Sequence, residues 1–358
     1  MRLNAERFQR LQRSLDLALN QEWPKVGATT RRLATFAPTS IEPASVRDPR
    51  VAIATVATDG GENKLSLEPM RLQVVRVADS RGEIYFEEFI AESLEPDQII
   101  RFFFQSDPRL QRFMRNLNLD WQQLLPRTDL QRGHLLSMLR ELMEWAALIE
   151  LAAQPGSKLL IRDGLLRSIL LSQEVFNALR SRFEALTGEH GHLLVGVAKR
   201  SRVLSYLTVA LGLTETFKSG RAEYLAIPAE LEREAAPAQY RWVGDRAMGS
   251  LSIARLDVGD SPLIPIDVPQ WQRARTDEIM ALLHQCARGS FPIRGYPQPL
   301  IEAHEHARLG GIEIELLEAL LLRRIHDRDP EAARVARHLR LLGQKFSEST
   351  SDSAHNES

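Results

Sequence analysis

Two apolar stretches of this sequence end in the same dipeptide, and this repetition constrains the fold more than any other feature. Residues 51–58 (VAIATVAT) run into Asp59-Gly60, and residues 158–162 (KLLIR) run into Asp163-Gly164. Apolar, β-branched runs of this length predict buried strands. The glycine after each acid lets the backbone turn away and leaves the carboxylate at the strand end. We expect both carboxylates at one edge of a sheet, although Asp-Gly after a strand is also an ordinary turn.

Converging carboxylates predict a cation. Two such groups repel each other unless a positive charge lies between them. Hard oxygen ligands favour Mg²⁺ or Mn²⁺. A helix predicted over 135–152, just before the second acid, offers Glu141, Glu144 and Glu150 as a third ligand. Spacing alone leaves the choice among these three open.

The order of predicted elements indicates the fold class. We predict strands at 51–58, 65–79 and 81–89, a helical region at 95–152, a strand at 158–164, a helix at 172–187 and a strand at 192–201. Short turns between the first three strands predict an antiparallel meander. Meander, helix, strand, helix, strand is the order of an RNase H-like core. The prediction is therefore an α+β (mixed α/β) fold in which helices flank a mixed sheet.

The flanking segments carry other patterns. Residues 4–20 have helical spacing of apolar residues, 23–50 hold four prolines and predict an extended arm, and the polar 346–358 predicts a disordered tail. Beyond the core we predict helices at 203–213, 222–233, 270–287, 298–308, 311–325 and 329–343, with strands at 238–244 and 250–258. We expect an arm over 1–50, one domain over 51–345 with a helical insertion at about 95–135, and a tail over 346–358.

Composition narrows the class of protein. The net charge is -1, so the chain as a whole is not a polycation that would coat nucleic acid. The single cysteine, Cys286, excludes an internal disulfide framework and a cysteine-based zinc site. No apolar run is long enough to cross a bilayer, and the N-terminus lacks the apolar centre of a signal peptide. A cytoplasmic location without a membrane partner is expected.

Two further polar residues are candidates for a site. Lys199 lies at the end of a predicted buried strand, where it would neutralise a phosphate or a developing negative charge. The alternative is a solvated basic turn. His304 lies on a predicted helix near Tyr296. A lone histidine in such a place is more often a surface or capping residue than a metal ligand.

Four stretches, taken in order, resemble the NurA family of metal-dependent nucleases, which have an RNase H-like fold. They are Asp59-Gly60, LIRDGLLRS (160–168), LVGVAKRS (194–201) and GYPQPLIEAHEHA (295–307). Together they span about residues 51–307. A serine often follows the Asp-Gly pair in that family, whereas this chain has Gly61 and Leu165.

The resemblance implies a set of metal ligands. Asp59, Glu144 and Asp163 would hold a Mn²⁺ or Mg²⁺ ion, and His304 would be a further ligand or a proton carrier. Glu144 is preferred to Glu141 because it precedes a tryptophan, as the family's helix acid often does. Glu141 remains an alternative, since it lies almost one helical turn away on a similar face.

The resemblance also implies a substrate and partners. Lys199 and Tyr296 would face the phosphate of DNA. The activity would be that of an exonuclease, expected to run 5′ to 3′, with single-strand endonuclease activity. It would act as a homodimer with a HerA-like hexameric ATPase in DNA end resection during double-strand break repair, or in defence against foreign DNA. Three alternatives are a structural subunit that stimulates the ATPase, an enzyme that cleaves RNA or hybrid duplexes, and a plain α+β protein with coincidental turns.

Overall fold

The computed structural model describes residues 5–36, 42–67, 70–91, 94–199, 205–217, 220–235, 246–259 and 261–339. The chain divides into two compact units. The first unit comprises Met1–Ala57 and Leu148–Ile301, and the second comprises Thr58–Ala147 and Glu302–Ser358. Each unit is built from both strands and helices.

The described strands are, in chain order, β1 (Ala44–Ser45), β2 (Ala54–Leu67), β3 (Met70–Asp79), β4 (Ile84–Ala91), β5 (Lys158–Asp163), β6 (Leu193–Val197), β7 (Glu223–Ala226), β8 (Gly249–Arg255) and β9 (Leu263–Pro269). The described helices are α1 (Ala5–Leu33), α2 (Pro96–Ser106), α3 (Pro108–Leu117), α4 (Asp129–Gly133), α5 (Leu135–Ala152), α6 (Gln173–His190), α7 (Ser205–Leu213), α8 (Ala229–Ala235), α9 (Thr276–Ala287), α10 (Gln298–Ala307) and α11 (Gly311–His326). Residues 330–339 are also helical. The boundary between the units falls within β2, α5 and α10.

The first unit contains a mixed sheet. Its strands follow the order β1-β7-β8-β9-β6-β5. β5 and β6 are parallel, and the other neighbours are antiparallel. A parallel pair requires a crossover, which α6 provides. Ser172 caps the start of α6 by accepting a hydrogen bond from the Val175 N–H at 3.3 Å, and Gly191 ends it in the left-handed conformation.

The second unit contains the predicted meander. β2, β3 and β4 pair antiparallel in chain order. Gly82, at φ 87°, makes the turn between β3 and β4, and its N–H donates to the Asp79 carbonyl at 3.0 Å. On one face of the meander, Leu65 and Val74 pack with residues of α11. Between residues 51 and 201 the strands and helices therefore occur in the predicted order, and the predicted mixed α/β class with a mixed sheet is confirmed.

The prediction that the first strand ends at Thr58 is wrong. β2 continues through Asp59-Gly60-Gly61 to Leu67, in unbroken register with β3. The strand predicted at 65–79 therefore divides between the end of β2 and β3. Tertiary packing explains the difference. A Cβ at Gly61 would lie 2.2 Å from the Ala307 carbonyl oxygen, so this glycine allows a close approach of α10 rather than a turn.

The N-terminal helix is longer than predicted. α1 continues past Pro24 to Leu33, into the segment predicted as an extended arm. Proline in a helix interior removes one hydrogen bond and disfavours the helix. Here tertiary contacts outweigh that cost, because Leu33 is buried in a core cluster with Leu207 and Leu211 of α7. Further along, β1 pairs with β7, so part of the arm is a short strand.

The prediction of a helix over 222–233 is wrong in its first half. β7 occupies Glu223–Ala226, and α8 begins at Ala229. Pairing of β7 with β1 on one side and β8 on the other overrides the helical pattern. The strand predicted at 238–244 lies outside the described residues, as does the tail at 346–358. β8 pairs instead with β9, a strand that the sequence did not indicate.

The remaining helices lie close to their predicted positions. α9, α10 and α11 cover most of the ranges predicted for them. Within the described ranges, no helix has the length and the apolar character that a membrane span requires.

Candidate functional site

Asp59 and His304 form a contact in the second unit. Asp59 lies on β2 with its side chain only 10% exposed, and His304 lies on α10. One carboxylate oxygen, Oδ1, accepts the Gly60 N–H at 2.7 Å. The other, Oδ2, lies 2.7 Å from His304 Nδ1. At that distance two electron-rich atoms need a proton or a cation between them. The pair can therefore share a proton or contribute to a metal site.

Glu144 approaches β2 from the face opposite Asp59. Successive residues of a strand point to alternate faces. A Cβ at Gly60 would lie 2.5 Å from Glu144 Oε1, which places the buried Glu144 carboxylate against the strand one residue after Asp59. The absence of a side chain at Gly60 makes this approach possible.

The structure separates the two candidate helix acids. Glu141 Oε1 accepts a hydrogen bond from Nε1 of the fully buried Trp145 at 3.2 Å. Glu144 instead lies at the backbone of Gly60. The tryptophan that guided the choice from sequence therefore fixes Glu141, while Glu144 is the acid beside the strand of Asp59. Metal ligation by either acid stays a prediction.

Arg140 and Glu62 were not singled out from the sequence. Arg140 lies one turn before Glu144 on α5, and its Nε is 3.3 Å from Glu144 Oε1. Its Nη1 is 3.1 Å from Glu62 Oε1 on β2. Burial alone would lower the pKa of Arg140, but the carboxylates of Glu144, Glu62 and Asp59 outweigh that effect and raise it. The i, i+4 spacing of Arg140 and Glu144 is the sequence signal that could have indicated their ion pair.

Asp163 is the centre of a second cluster, in the first unit. It ends β5, and Gly164 follows at φ 110°, as the Asp-Gly pattern predicted. Lys199 Nζ lies 3.2 Å from Asp163 Oδ2, and the Tyr296 hydroxyl donates to Oδ1 at 3.4 Å. The Lys199 ammonium also lies 5.7 Å from the centre of the Tyr296 ring. The structure thus brings together the three residues of this unit for which the resemblance implies roles.

Two glycines allow close packing of the segments next to Asp163 and Tyr296. A Cβ at Gly196 of β6 would lie 2.6 Å from the Gly164 carbonyl oxygen. Gly295, at φ 79°, precedes Tyr296, and a Cβ there would lie 2.4 Å from the Cβ of Ser261. Larger residues at these positions would displace the turn after Asp163 or the segment that carries Tyr296.

The basic residue of the second Asp-Gly motif has a structural role. The side chain of Arg167 is only 9% exposed, and it pairs with Asp267 of β9, with Nε 2.7 Å from Oδ2, and with Glu232 of α8. These two carboxylates outweigh the effect of burial and raise the pKa of Arg167. The sequence could not reveal these contacts because β9 was not predicted.

The ligand atoms fit a divalent cation. Asp59 and Asp163 supply carboxylate oxygens, which Mg²⁺ and Mn²⁺ prefer, and His304 supplies an imidazole nitrogen, which Mn²⁺ also accepts. Each acid already has a cationic or hydrogen-bonding neighbour within its own unit. In each unit, the donor atoms are therefore of the kinds that divalent cations bind.

Solved structures show distant similarity to this chain. The NurA nuclease from Sulfolobus solfataricus shares 13% identity over 91% of this chain and 98% of its own, with a TM-score of 0.48. A NurA structure bound to dAMP and manganese shares 10% identity over 86% and 94%, with a TM-score of 0.44. An endonuclease V from Bacillus subtilis shares 12% over 90% and 95%, with a TM-score of 0.31. Similarity at this level assigns no role to any residue.

No curated protein matches the sequence. The family model of the NurA domain, in contrast, matches residues 53–309. This range covers more than two thirds of the chain and includes both clusters, around Asp59 and around Asp163. The chain therefore belongs to the NurA family.

Proposed function

We propose that this protein is a divalent-metal-dependent nuclease that cleaves DNA. One observation carries the proposal: both acids of the repeated Asp-Gly pattern are contacted by the residues that the resemblance assigned to catalysis. His304 contacts Asp59, and Lys199 and Tyr296 contact Asp163. We would not expect both acids to have such contacts by chance, since all of these residues lie within the range that matches the NurA domain.

The proposed metal ligands are Asp59, Glu144 and Asp163, with His304 as a further ligand, and the proposed ion is Mn²⁺ or Mg²⁺. The carboxylate and imidazole donors support this choice. When bound, such an ion would supply Lewis acidity at a phosphate oxygen and lower the pKa of a water molecule.

The protein's own side chains have separate tasks in this proposal. Lys199 holds one Asp163 oxygen at 3.2 Å and would offset negative charge that develops on a phosphate. The buried Tyr296 donates to the other oxygen and thereby fixes the carboxylate. Glu144 would orient or deprotonate the attacking water. The roles of these residues are proposals that rest on their contacts and on the family.

A first experiment tests the nuclease itself. We expect end-labelled DNA to be shortened in Mn²⁺ or Mg²⁺ and to remain intact in EDTA, because carboxylates alone cannot offset the charge of the reacting phosphate. Parallel reactions on RNA, on hybrid duplexes and on single- and double-stranded DNA define the substrate, and the label's position gives the polarity. Cleavage that persists in EDTA would contradict metal dependence.

The finer parts of the proposal follow from the family. They are 5′-to-3′ exonuclease polarity, single-strand endonuclease activity, a homodimer, and action in the cytoplasm with a HerA-like ATPase in end resection. Light scattering would test the dimer, and co-purification would test the ATPase contact. A protein that cleaves nothing, alone or with the ATPase, yet stimulates ATP hydrolysis would instead be a structural subunit.

The role of His304 is tested by replacing it with glutamine. If the imidazole is a metal ligand, we expect the Mn²⁺ affinity to fall about tenfold to a hundredfold, measured by calorimetry without DNA. His306→Gln is the matched control, because this histidine lies on the same helix but contacts the Asp79 carbonyl. Unchanged Mn²⁺ affinity, with loss of one limb of the pH–rate profile, would make His304 a proton carrier instead.

A further inference from the structure

Arg140 is held in a way that leaves part of its guanidinium group available. Glu144 lies against Nε and Glu62 against Nη1, at 3.3 and 3.1 Å. The Nε atom is buried, and Cγ and Cδ lie against Gly60, so the exposed part of this side chain lies toward the Nη end. About a third of the side chain is exposed, at 34%. Two carboxylates thus hold the guanidinium group, while part of its Nη end stays exposed.

The charges around Arg140 explain why an anion would approach it. Glu144 and Glu62 lie against this cation, and the carboxylates of Asp59 and Glu141 are close enough to help raise its pKa. Under the proposed function, a bound divalent ion would offset the excess negative charge, and a nearby cation such as Arg140 would favour the approach of a DNA phosphate. Arginine is suited to this contact because its planar donors match phosphate oxygens.

The surface next to Arg140 has room for a nucleotide strand. Gly60, Glu62 and Lys64 alternate onto one face of β2. A cavity of about 530 Å³, lined partly by Glu62, Lys64 and Arg132, opens on this face within the second unit. Its size lies in the range of roughly 300–1,000 Å³ that small-molecule sites occupy. Lys64 and Arg132 would meet phosphates that follow the one at Arg140.

We propose that Arg140 binds a non-bridging phosphate oxygen of the substrate strand through the exposed Nη end of its guanidinium group, with Glu62 and Glu144 as its anchors. This inference rests on the proposed nuclease function. It adds a substrate contact to the second unit, where the acids alone would repel DNA. The competing role for Arg140 is that of an intramolecular brace with no contact to substrate.

DNA binding without cleavage separates these roles. We would measure the affinity for a fluorescent single-stranded oligonucleotide in Ca²⁺, between about 50 and 200 mM salt. Arg140→Gln is expected to weaken binding by roughly tenfold at low salt. It should also reduce the slope of log affinity against log salt by about 0.7, the loss of one phosphate contact. Arg140→Lys keeps the charge and should retain the slope.

Two controls keep the test decisive. Arg115→Gln removes the same charge from an exposed position on α3 and should leave affinity and slope unchanged. The double variant Glu62→Gln, Arg140→Gln removes one carboxylate that the single change leaves without its cation, and it should show the same loss of slope. This second variant answers the question if Arg140→Gln alone does not fold.

The outcomes distinguish two failures. If the wild type cleaves DNA while the Arg140 variants keep its affinity and slope, the phosphate contact is overturned and the nuclease stands. If the wild type neither binds nor cleaves DNA, the proposed function is overturned and this inference falls with it. A loss of slope in Arg140→Gln and in the double variant, but not in Arg115→Gln, supports the contact.

Discussion

Asp163→Asn is expected to lower the rate of DNA cleavage by at least about a thousandfold without unfolding the protein. The substitution keeps the size of the side chain but removes the charge that a metal ligand needs. Asp163 ends β5, and its side chain is 15% exposed, so it contributes little to the apolar core. The hydroxyl of Tyr296 can still donate to the remaining carbonyl oxygen, which preserves the local geometry.

The measurement is single-turnover cleavage of end-labelled DNA in saturating Mn²⁺, with circular dichroism to verify the fold. Asp48→Asn is the matched control in the same unit, because the side chain of Asp48 is 79% exposed. It should cleave at the wild-type rate. An Asp163→Asn protein that cleaves within tenfold of the wild type, in preparations free of contaminating nuclease, would remove Asp163 from the catalytic machinery.

The local sequence pattern correctly predicted elements that are buried along most of their length. The run before Asp163 forms β5 because both faces of a parallel strand are buried, and such strands are mostly apolar, as Leu159–Ile161 are here. The turn after it requires positive φ at Gly164, which the Asp-Gly dipeptide signals directly. Asp163 could therefore be placed at a strand end from the sequence alone.

The same dipeptide misled at Asp59 because its glycines serve packing instead of a turn. Neither the Glu144 approach at Gly60 nor the α10 approach at Gly61 leaves any trace in the local sequence. Both contacts join residues that are distant along the chain. A glycine signals that a side chain is excluded, but only the fold shows whether the cause is a turn or a neighbour.

Some residues of the candidate site could be found from the sequence, and others only from the structure. The resemblance supplied Lys199 and Tyr296, and the structure places both against Asp163. Arg140 and Glu62 were missed because ion pairs between a helix and a strand depend on tertiary register. Charged residues are frequent on any surface, so their pairing becomes visible only when α5 is laid against β2.

The departures from the family's serine pattern also have tertiary causes. Leu165 is buried in a core cluster of the first unit, where a serine hydroxyl would need a hydrogen-bond partner. Position 61 has no space for a serine side chain, because its Cβ would overlap the backbone of Ala307. Both substitutions relative to the family pattern thus follow from packing, and they leave the acids themselves in place.

Gly61→Ala is accordingly expected to lower the free energy of unfolding by about 3 kcal/mol. The new Cβ would lie 2.2 Å from the Ala307 carbonyl oxygen and 2.9 Å from its carbon, which are backbone atoms that cannot rotate away. Relief requires the end of α10 to shift. His304 lies on the same helix, one turn before Ala307, so its contact with Asp59 should lengthen and Mn²⁺ affinity should fall as well.

Urea unfolding of three alanine variants tests this argument. Gly60→Ala should lower the free energy of unfolding by less, because the atom nearest to its new Cβ is the flexible end of the Glu144 side chain, at 2.5 Å. Gly188→Ala, within α6 and with nothing nearby, should stabilise the protein by roughly 0.5–1 kcal/mol. If Gly61→Ala were as stable as the wild type and bound Mn²⁺ normally, α10 could not lie against β2 at this point. The contact between His304 and Asp59 would then lose its structural basis.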